Sequence, residues 1–227
     1  LTLTASANGV GFFYFGDLIT GTYVLSQTQP LGLFDGLERA GGLGGTVAGS
    51  APDFDRIEGI PLLAGQYGAE YNFGELPPAS LSGFVYYDSN NNGIRDGVEV
   101  LIAGVTVTLS GTDDLGRPVL ITATTDGTTG FVFSGLRPGQ YALREEQPEG
   151  YTDGPETIGN QGGTLGINDR IDNINLLAGR NGTGYAFAER QNGLTGYVYA
   201  DNNNDGFRQP GLGEGGIGGV TVLLTGT

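Results

Sequence analysis

Residues 104–146 read GVTVTLSGTDDLGRPVLITATTDGTTGFVFSGLRPGQYALREE and carry the clearest strand pattern in the chain. Four segments alternate apolar and polar residues, and Gly, Asp or Pro separates them: 104–111, 118–125, 130–136 and 139–146. A period of two is typical of strands that bury one face. The residues predicted to face the core are Val105, Val107, Leu109, Phe131, Phe133, Tyr141 and Leu143. The pattern predicts an all-β fold, an antiparallel Greek-key sandwich of seven or more strands.

The composition agrees with this fold class and limits the catalytic mechanisms and ligands that the chain can support. With 44 Gly and 10 Pro among 227 residues, the chain is too rich in turn residues for long helices. It has no His, Cys or Lys, so Ser–His–Asp and Cys–His catalysis are excluded and a zinc or haem site is not expected. The net charge of −15 disfavours nucleic acid and favours a hard cation as the partner. We find no apolar run of transmembrane length and predict no enzymatic activity.

The chain also repeats itself. Residues 21–36, GTYVLSQTQPLGLFDG, match residues 139–154, GQYALREEQPEGYTDG, and residues 81–97 match residues 194–210 in the same way. Such self-similarity predicts tandem structural units. We expect residues 1–80 to be the C-terminal part of a repeat that lacks its first strands, 81–193 to be one complete repeat, and 194–227 to be the N-terminal part of the next.

Both ends of the chain fall inside the same predicted hairpin of the repeat. LTLTA at residues 1–5 matches the second strand of that hairpin, and LLTGT at residues 223–227 matches the end of the first. Two arrangements are open. The chain is a window on a longer covalent array, in keeping with a first residue that is not Met, or Leu1–Ala5 of one molecule pairs with Val220–Thr225 of the next by donor-strand complementation. Either arrangement makes the chain its own partner in a head-to-tail polymer.

DSNNNGIRDGVE, residues 88–99, has the ligand spacing of an EF-hand calcium loop. Its oxygen donors stand at positions 1, 3, 5, 7, 9 and 12, where position 7 contributes a backbone carbonyl. In this chain they are Asp88, Asn90, Asn92, Ile94, Asp96 and Glu99. An Asn-Gly turn without metal is the alternative interpretation. We predict Ca²⁺, since Mg²⁺ prefers a tighter octahedron.

A second loop follows at residues 201–214 and departs from the pattern. Its predicted ligands are Asp201, Asn203, Asp205, Phe207 and Glu214. Position 9 is Gln209, Pro210 follows, and the final acid comes two residues late. We expect the two extra residues to bulge outward and still present Glu214.

These residues carry a family resemblance. SGFVYYDSNNNGIRDGVEVLIAGVTVTLSG at residues 82–111, followed by TTDGTTGFVFSGLRPGQYALREEQPEGY at residues 124–151, resembles the Cna-B and serine-aspartate-repeat B-type domains of bacterial surface proteins. The resemblance implies tandem prealbumin-like or Ig-like β-sandwiches, calcium at the Asp-Asn loop, and service as an extracellular stalk or fibre module. Many Cna-B relatives contain a Lys–Asn isopeptide bond. Without Lys this chain cannot form one, so its rigidity must come from calcium, packing and strand pairing.

We therefore expect a structural subunit of an extracellular bacterial filament, built from calcium-stabilised sandwiches joined end to end. One alternative is the stalk of a large surface adhesin. A second is a carbohydrate-binding module, in which exposed Tyr86, Tyr87 and Tyr199 stack on sugars. Glycans are also candidate partners, through exposed Ser and Thr or the acceptor pattern NGT at residues 181–183, for which a plain turn is the favoured interpretation.

Two further sets of charged residues stand out in the sequence. Asp169 with Arg170, and their counterparts Asp55 with Arg56, are expected to form a local ion pair or a loop clamp, and a further cation contact is the minority interpretation. Glu145 and its neighbour Glu146 face opposite sides of a strand, so we do not expect them to form a catalytic pair of carboxylates.

Overall fold

The computed structural model describes residues 2–50 and 53–226, whose regular structure is strand except for one 3-10 turn at Pro210–Leu212. The chain divides into two compact units, Leu1–Arg190 and Gln191–Thr227. No helix in the described ranges is long and apolar enough to cross a membrane. The all-β prediction is confirmed.

Residues 2–50 and 53–78 form a small, incomplete sandwich. Three of its strands make one sheet in the order β1-β4-β3, and the other two pair separately. Its small core is built on Ile57, Ile60 and Tyr71. The strands are β1 (Gly21–Ser26), β2 (Phe34–Asp35), β3 (Thr46–Ser50), β4 (Asp53–Leu62) and β5 (Glu75–Leu76).

A complete sandwich follows. One sheet has five strands in the order β12-β13-β10-β7-β8, and the facing sheet has four in the order β11-β14-β6-β9. Sixteen buried residues from both sheets form the core, including every core residue predicted from the alternation. The strands are β6 (Ala79–Tyr87), β7 (Thr106–Asp113), β8 (Pro118–Thr124), β9 (Phe131–Leu136), β10 (Gly139–Glu145), β11 (Thr152–Thr157), β12 (Thr164–Leu165), β13 (Arg170–Leu176) and β14 (Asn181–Arg190).

The pairing of β6 with β14 departs from the expectation of a purely antiparallel sandwich. The two strands run parallel, with Ser80 opposite Asn181 and Tyr87 opposite Glu189. They are the first and last strands of the complete sandwich. Because they run side by side in the same direction, the chain comes in at one end of the sandwich and leaves at the other. We call these the incoming end and the outgoing end.

The internal repeat is visible in the strand register. In β1 and β4, Tyr23 lies opposite Ile60, and the register then shifts before Leu25. In β10 and β13, Tyr141 lies opposite Ile174, with the same shift before Leu143. Equivalent residues therefore make the same ladder with the same irregularity.

The incomplete sandwich lacks the strand that would cover the free edge of β1. In the complete sandwich, β10 lies between β13 and β7, whereas within the described residues β1 pairs with β4 alone. Tyr141 and Leu143 of β10 are buried, but their counterparts Tyr23 and Leu25 are only half-buried. The N-terminal part thus leaves apolar surface and a strand edge open.

The predicted donor strands have no ladder of their own. Residues 2–5 lie outside the strands, and Leu1 lies outside the described residues. Residues 220–225 are also outside regular structure, and Val222, Leu223 and Leu224 are at least three-quarters exposed. Their proposed pairing between molecules stays a prediction.

Candidate metal centre

The first loop, Asp88–Glu99, begins where β6 ends and is folded around its first acid. Asp88 is buried, its Oδ1 accepts the backbone N–H of Asn92 at 3.1 Å, and its Oδ2 accepts that of Gly93 at 2.7 Å. The amide oxygen of Asn92 in turn accepts the N–H of Ile94 at 2.8 Å. These bonds curl the backbone so that alternate side chains point to the same side. Gly93 has a φ of 71°, and a Cβ there would lie 2.9 Å from Pro155.

The last acid closes the loop from the other side. Glu99 is 4% exposed, and its two carboxylate oxygens accept the N–H groups of Ser89 at 2.9 Å and Asp96 at 3.2 Å. The chain then returns along β6, because Tyr87 donates to Val100 at 3.0 Å. The six predicted ligands are therefore gathered on one tight turn, with the acids of positions 1 and 12 both buried.

The second loop, Asp201–Glu214, repeats the main hydrogen bonds of the first despite its two extra residues. Asp201 accepts the N–H groups of Asp205 at 3.2 Å and Gly206 at 2.9 Å. Glu214 is 1% exposed and accepts the N–H of Gln209 at 2.7 Å, as Glu99 accepts that of Asp96. The extra residues form the 3-10 turn, which lets Glu214 reach the position-12 place.

Both loops offer a donor set that fits Ca²⁺. They present carboxylate, amide and backbone carbonyl oxygens and no nitrogen or sulfur ligand, which is the preference of a hard cation. In the second loop the buried Oε1 of Glu214 has no hydrogen-bond partner among the residues that the structure describes. The two loops also share left-handed residues at positions 4 and 6, namely Asn91 and Gly93 in the first and Asn204 and Gly206 in the second.

A second group of acids lies on the complete sandwich, and only one of its members, Asp169, was expected from the sequence, as a minority candidate for a cation contact. Glu145, Asp169 and Glu189 each place one carboxylate oxygen within 4.8 Å of the others, and Asp153 and Glu156 do the same with Asp169. We call these five residues the carboxylate cluster. Glu145 and Glu189 are fully buried, whereas the other three are half-buried.

Burial and mutual repulsion perturb the acids of the carboxylate cluster. Burial, reinforced by the charge of Glu189, raises the pKa of Glu145. Burial also raises the pKa of Glu189, and burial together with Asp153 raises the pKa of Asp169 to about 6. A site that disfavours its own negative charge this strongly favours any positive charge placed within it.

The expected ion pair between Asp169 and Arg170 is wrong. Arg170 instead binds Asp172 at 2.7 Å, and Arg56 binds Glu58 at 2.6 Å. Alternating residues of a strand share a face, so residues two apart meet, whereas adjacent residues point to opposite sides. The carboxylate of Asp169 instead lies close to other acids, including Glu145 and Glu156.

The exposed aromatic platform predicted for sugar binding is wrong in one member. Tyr86 is 1% exposed, because it packs with Ala186 and Ala188 and lines a groove with Ile94 of the first loop. Tyr87 and Tyr199 are half-buried. The pattern at residues 181–183 is also no turn, since it opens β14.

The geometry described above coincides with a known domain. A family model described as "SdrD B-like domain" matches residues 79–177. These residues belong to the SdrD B-like family. The SdrD B-like match begins with β6 and contains the first loop and four of the five acids of the carboxylate cluster; Glu189 follows it.

Curated relatives extend the similarity of the SdrD B-like domain beyond this match. Serine-aspartate repeat-containing protein D of Staphylococcus aureus (strain Newman) is 37% identical over 167 residues, which cover 70% of this chain and 11% of the relative. Serine-aspartate repeat-containing protein F of Staphylococcus epidermidis is 29% identical over 238 residues, covering 98% of this chain and 12% of the relative. The chain thus spans about a tenth of the curated relatives it matches. The predicted location at the cell surface is confirmed, since these homologues are cell-wall surface proteins.

Proposed function

We propose that this chain is a structural segment of an extracellular stalk or filament, built from calcium-stabilised β-sandwiches joined end to end and without catalytic activity. The parallel pairing of β6 with β14 is the observation that carries the proposal. A sandwich whose chain comes in at one end and leaves at the other adds its full length to an array. Its SdrD B-like family is a surface-repeat family and not a known enzyme family.

The junction between the incomplete and the complete sandwich supports a stiff array. Arg137 is buried, and its guanidinium binds both carboxylate oxygens of Asp114 at 2.7 and 2.9 Å. The same group donates to the backbone carbonyl of Asp35 at 2.8 Å and lies over the ring of Phe34. Asp114 belongs to the same sandwich as Arg137 and holds its guanidinium in place, and Arg137 then contacts the preceding sandwich through one hydrogen bond and one aromatic contact.

In this proposal, calcium stabilises the folded state of the two Asp-Asn loops. Ca²⁺ neutralises the buried Asp88 and Glu99 of the first loop and binds the folded loop but not the unfolded chain, so it stabilises by mass action. The residues that would hold it are the predicted ligands of each loop. Chelation should leave a looser chain that proteases cut faster.

The open edge of β1 requires completion by another strand. In a covalent array the preceding residues of the same polypeptide supply it, and in a filament of separate subunits the neighbour's Val220–Thr225 segment does. The denatured mass of native material, boiled in SDS with EDTA, separates the two. A band near the 23.5 kDa of this chain indicates strand exchange between subunits, whereas a much larger band indicates a covalent array.

Native material that neither forms elongated particles nor loses protease resistance on chelation would contradict the proposed function. Electron microscopy of the native material, with and without EDTA, provides that measurement.

A further inference from the structure

The carboxylate cluster has the dimensions of a single cation site. Oxygens of Glu145, Asp169 and Glu189 all lie within 4.8 Å of one another. Two oxygens that each bind the same Ca²⁺ at about 2.4 Å are at most about 4.8 Å apart. Asp153 and Glu156 stand in the same relation to Asp169, so a second group of three carboxylates adjoins the first and shares Asp169 with it.

The innermost oxygens of the cluster accept no hydrogen bond from any residue that the structure describes. Both carboxylate oxygens of Glu145 and the Oε1 of Glu189 are fully buried without a hydrogen bond in the described part of the chain. Glu189 is bonded through its other oxygen to Gln147. Buried charges are otherwise paired or coordinate metals, because desolvating a bare carboxylate is costly.

Three arginines lie nearby: the charge of Arg144 opposes the rise in the pKa of Asp169, and the other two are engaged elsewhere. Arg170 pairs with Asp172 at 2.7 Å. Arg190 donates to the backbone carbonyl of Asp153 and to the side chain of Asn91. Neither guanidinium has a recorded ion pair with a carboxylate of the cluster in residues 2–50 and 53–226.

The same acids recur in the incomplete sandwich. Asp35, Glu38 and Asp55 also gather with their oxygens within 4.8 Å, and they are the repeat counterparts of Asp153, Glu156 and Asp169. Glu75 corresponds to Glu189, whereas Gln27 stands where the complete sandwich has Glu145. The amide of Gln27 donates to Glu75. This copy has one acid fewer, and an amide bonded to the innermost carboxylate.

We propose that the carboxylate cluster binds a divalent cation, with Ca²⁺ held by Glu145, Asp169 and Glu189 and enclosed by Asp153 and Glu156. Ca²⁺ suits a site of flexible geometry rich in carboxylates, whereas Mg²⁺ requires an octahedron and usually keeps several waters. The site is separate from both Asp-Asn loops and stands whether or not the chain is a stalk. The counterpart in the incomplete sandwich should bind more weakly, since it lacks one charged ligand.

The natural difference between the two copies supplies the test variant. Glu145→Gln introduces the residue that the incomplete sandwich carries at Gln27, so the fold should tolerate it. Glu146→Gln removes the same charge from the exposed neighbouring residue and is the matched control. Circular dichroism verifies that both variants of the full chain are folded. Equilibrium dialysis against ⁴⁵Ca²⁺ then counts the bound ions as a function of free Ca²⁺.

We expect Glu145→Gln to weaken one class of Ca²⁺ sites at least about tenfold, since even the loss of an outer-shell partner commonly costs that much. Glu146→Gln should bind like the parent chain. Crystals soaked in Tb³⁺ should show anomalous density between Glu145 and Glu189. Identical dialysis curves for all three proteins, or Tb³⁺ density at the loops but none in the cluster, would overturn the proposal and leave a shared proton as the neutralising charge.

Discussion

Replacing Glu99 by Gln in the first loop tests the calcium proposal at a buried ligand that closes the loop. Both oxygens of Glu99 accept backbone N–H groups, from Ser89 and Asp96, at 2.9 and 3.2 Å. In the Glu99→Gln variant one of these acceptors becomes an NH₂ donor that faces another donor. An unsatisfied buried polar group costs about 1–3 kcal/mol, so the metal-free variant should already be less stable.

The calcium-dependent part of the stability is the decisive quantity. For a site with a Kd of about 10⁻⁴ M, typical of extracellular modules, 1 mM Ca²⁺ stabilises the folded state by about 1.4 kcal/mol. In a unit of this size each kcal/mol shifts Tm by roughly 2–4 °C, so one site contributes about 3–6 °C. Glu99→Gln should lose this increment and retain the one that the carboxylate cluster provides.

The assay is differential scanning calorimetry of the parent chain and the variant, each with EDTA and with 1 mM Ca²⁺. Glu149→Gln is the control, because Glu149 is exposed and its change should stay within about 0.5 kcal/mol in either condition. If Ca²⁺ shifts the Tm of Glu99→Gln as much as that of the parent chain, the first loop does not hold the ion. A double variant with Glu145→Gln should show a smaller shift than either single variant.

Three further changes have definite expected outcomes. Calcium-free protein should gain stability as the pH falls toward about 4.5, because the raised pKa values of Glu145 and Glu189 make the folded state bind protons that the unfolded chain releases. Urea midpoints between pH 5 and 8 measure this gain. The Glu145→Gln variant should show a weaker dependence of the urea midpoint on pH. Leu143→Ala, in the full core, should cost about 2–5 kcal/mol, and Leu25→Ala clearly less unless a donor strand covers β1 in the polymer. Arg137→Ala should cost about 2–5 kcal/mol and speed proteinase K cleavage near residues 76–79, whereas Arg56→Ala, at an ion pair with Glu58 that is exposed on both sides, should change neither by much.

The strands and their core could be predicted from the sequence alone, because period-two alternation is a local property. Residues 104–146 were divided correctly to within about two residues, and each predicted core side chain is buried. The turn of the first loop was also local, since twelve consecutive residues specify it. Even the late acid, Glu214, takes the place that Glu99 occupies in the first loop, because the insertion folds into a separate 3-10 turn.

The partners of the strands were not local and could not be predicted in the same way. Alternation determines which face of β6 is buried but not that its neighbour is β14, about one hundred residues later and parallel. The carboxylate cluster could not be predicted for the same reason, since β10, β11 and β14 bring its acids together from distant positions. A signal was present nevertheless: four of the five acids recur as acids in the other copy, at Asp35, Glu38, Asp55 and Glu75.

The two candidate cation sites meet at the outgoing end of the complete sandwich. The N–H of Asp88, first ligand of the first loop, donates to the backbone carbonyl of Glu189 at 2.8 Å, and the side chain of Glu189 belongs to the carboxylate cluster. Tension applied to the two ends of this sandwich pulls β6 and β14 in opposite directions along their shared ladder, so its hydrogen bonds are loaded together. If both proposed sites bind Ca²⁺, a cation on either side of the Asp88–Glu189 contact would hold the end of that ladder closed. The calcium concentration outside the cell would thereby set how readily the ladder begins to open, without any change in the strands themselves.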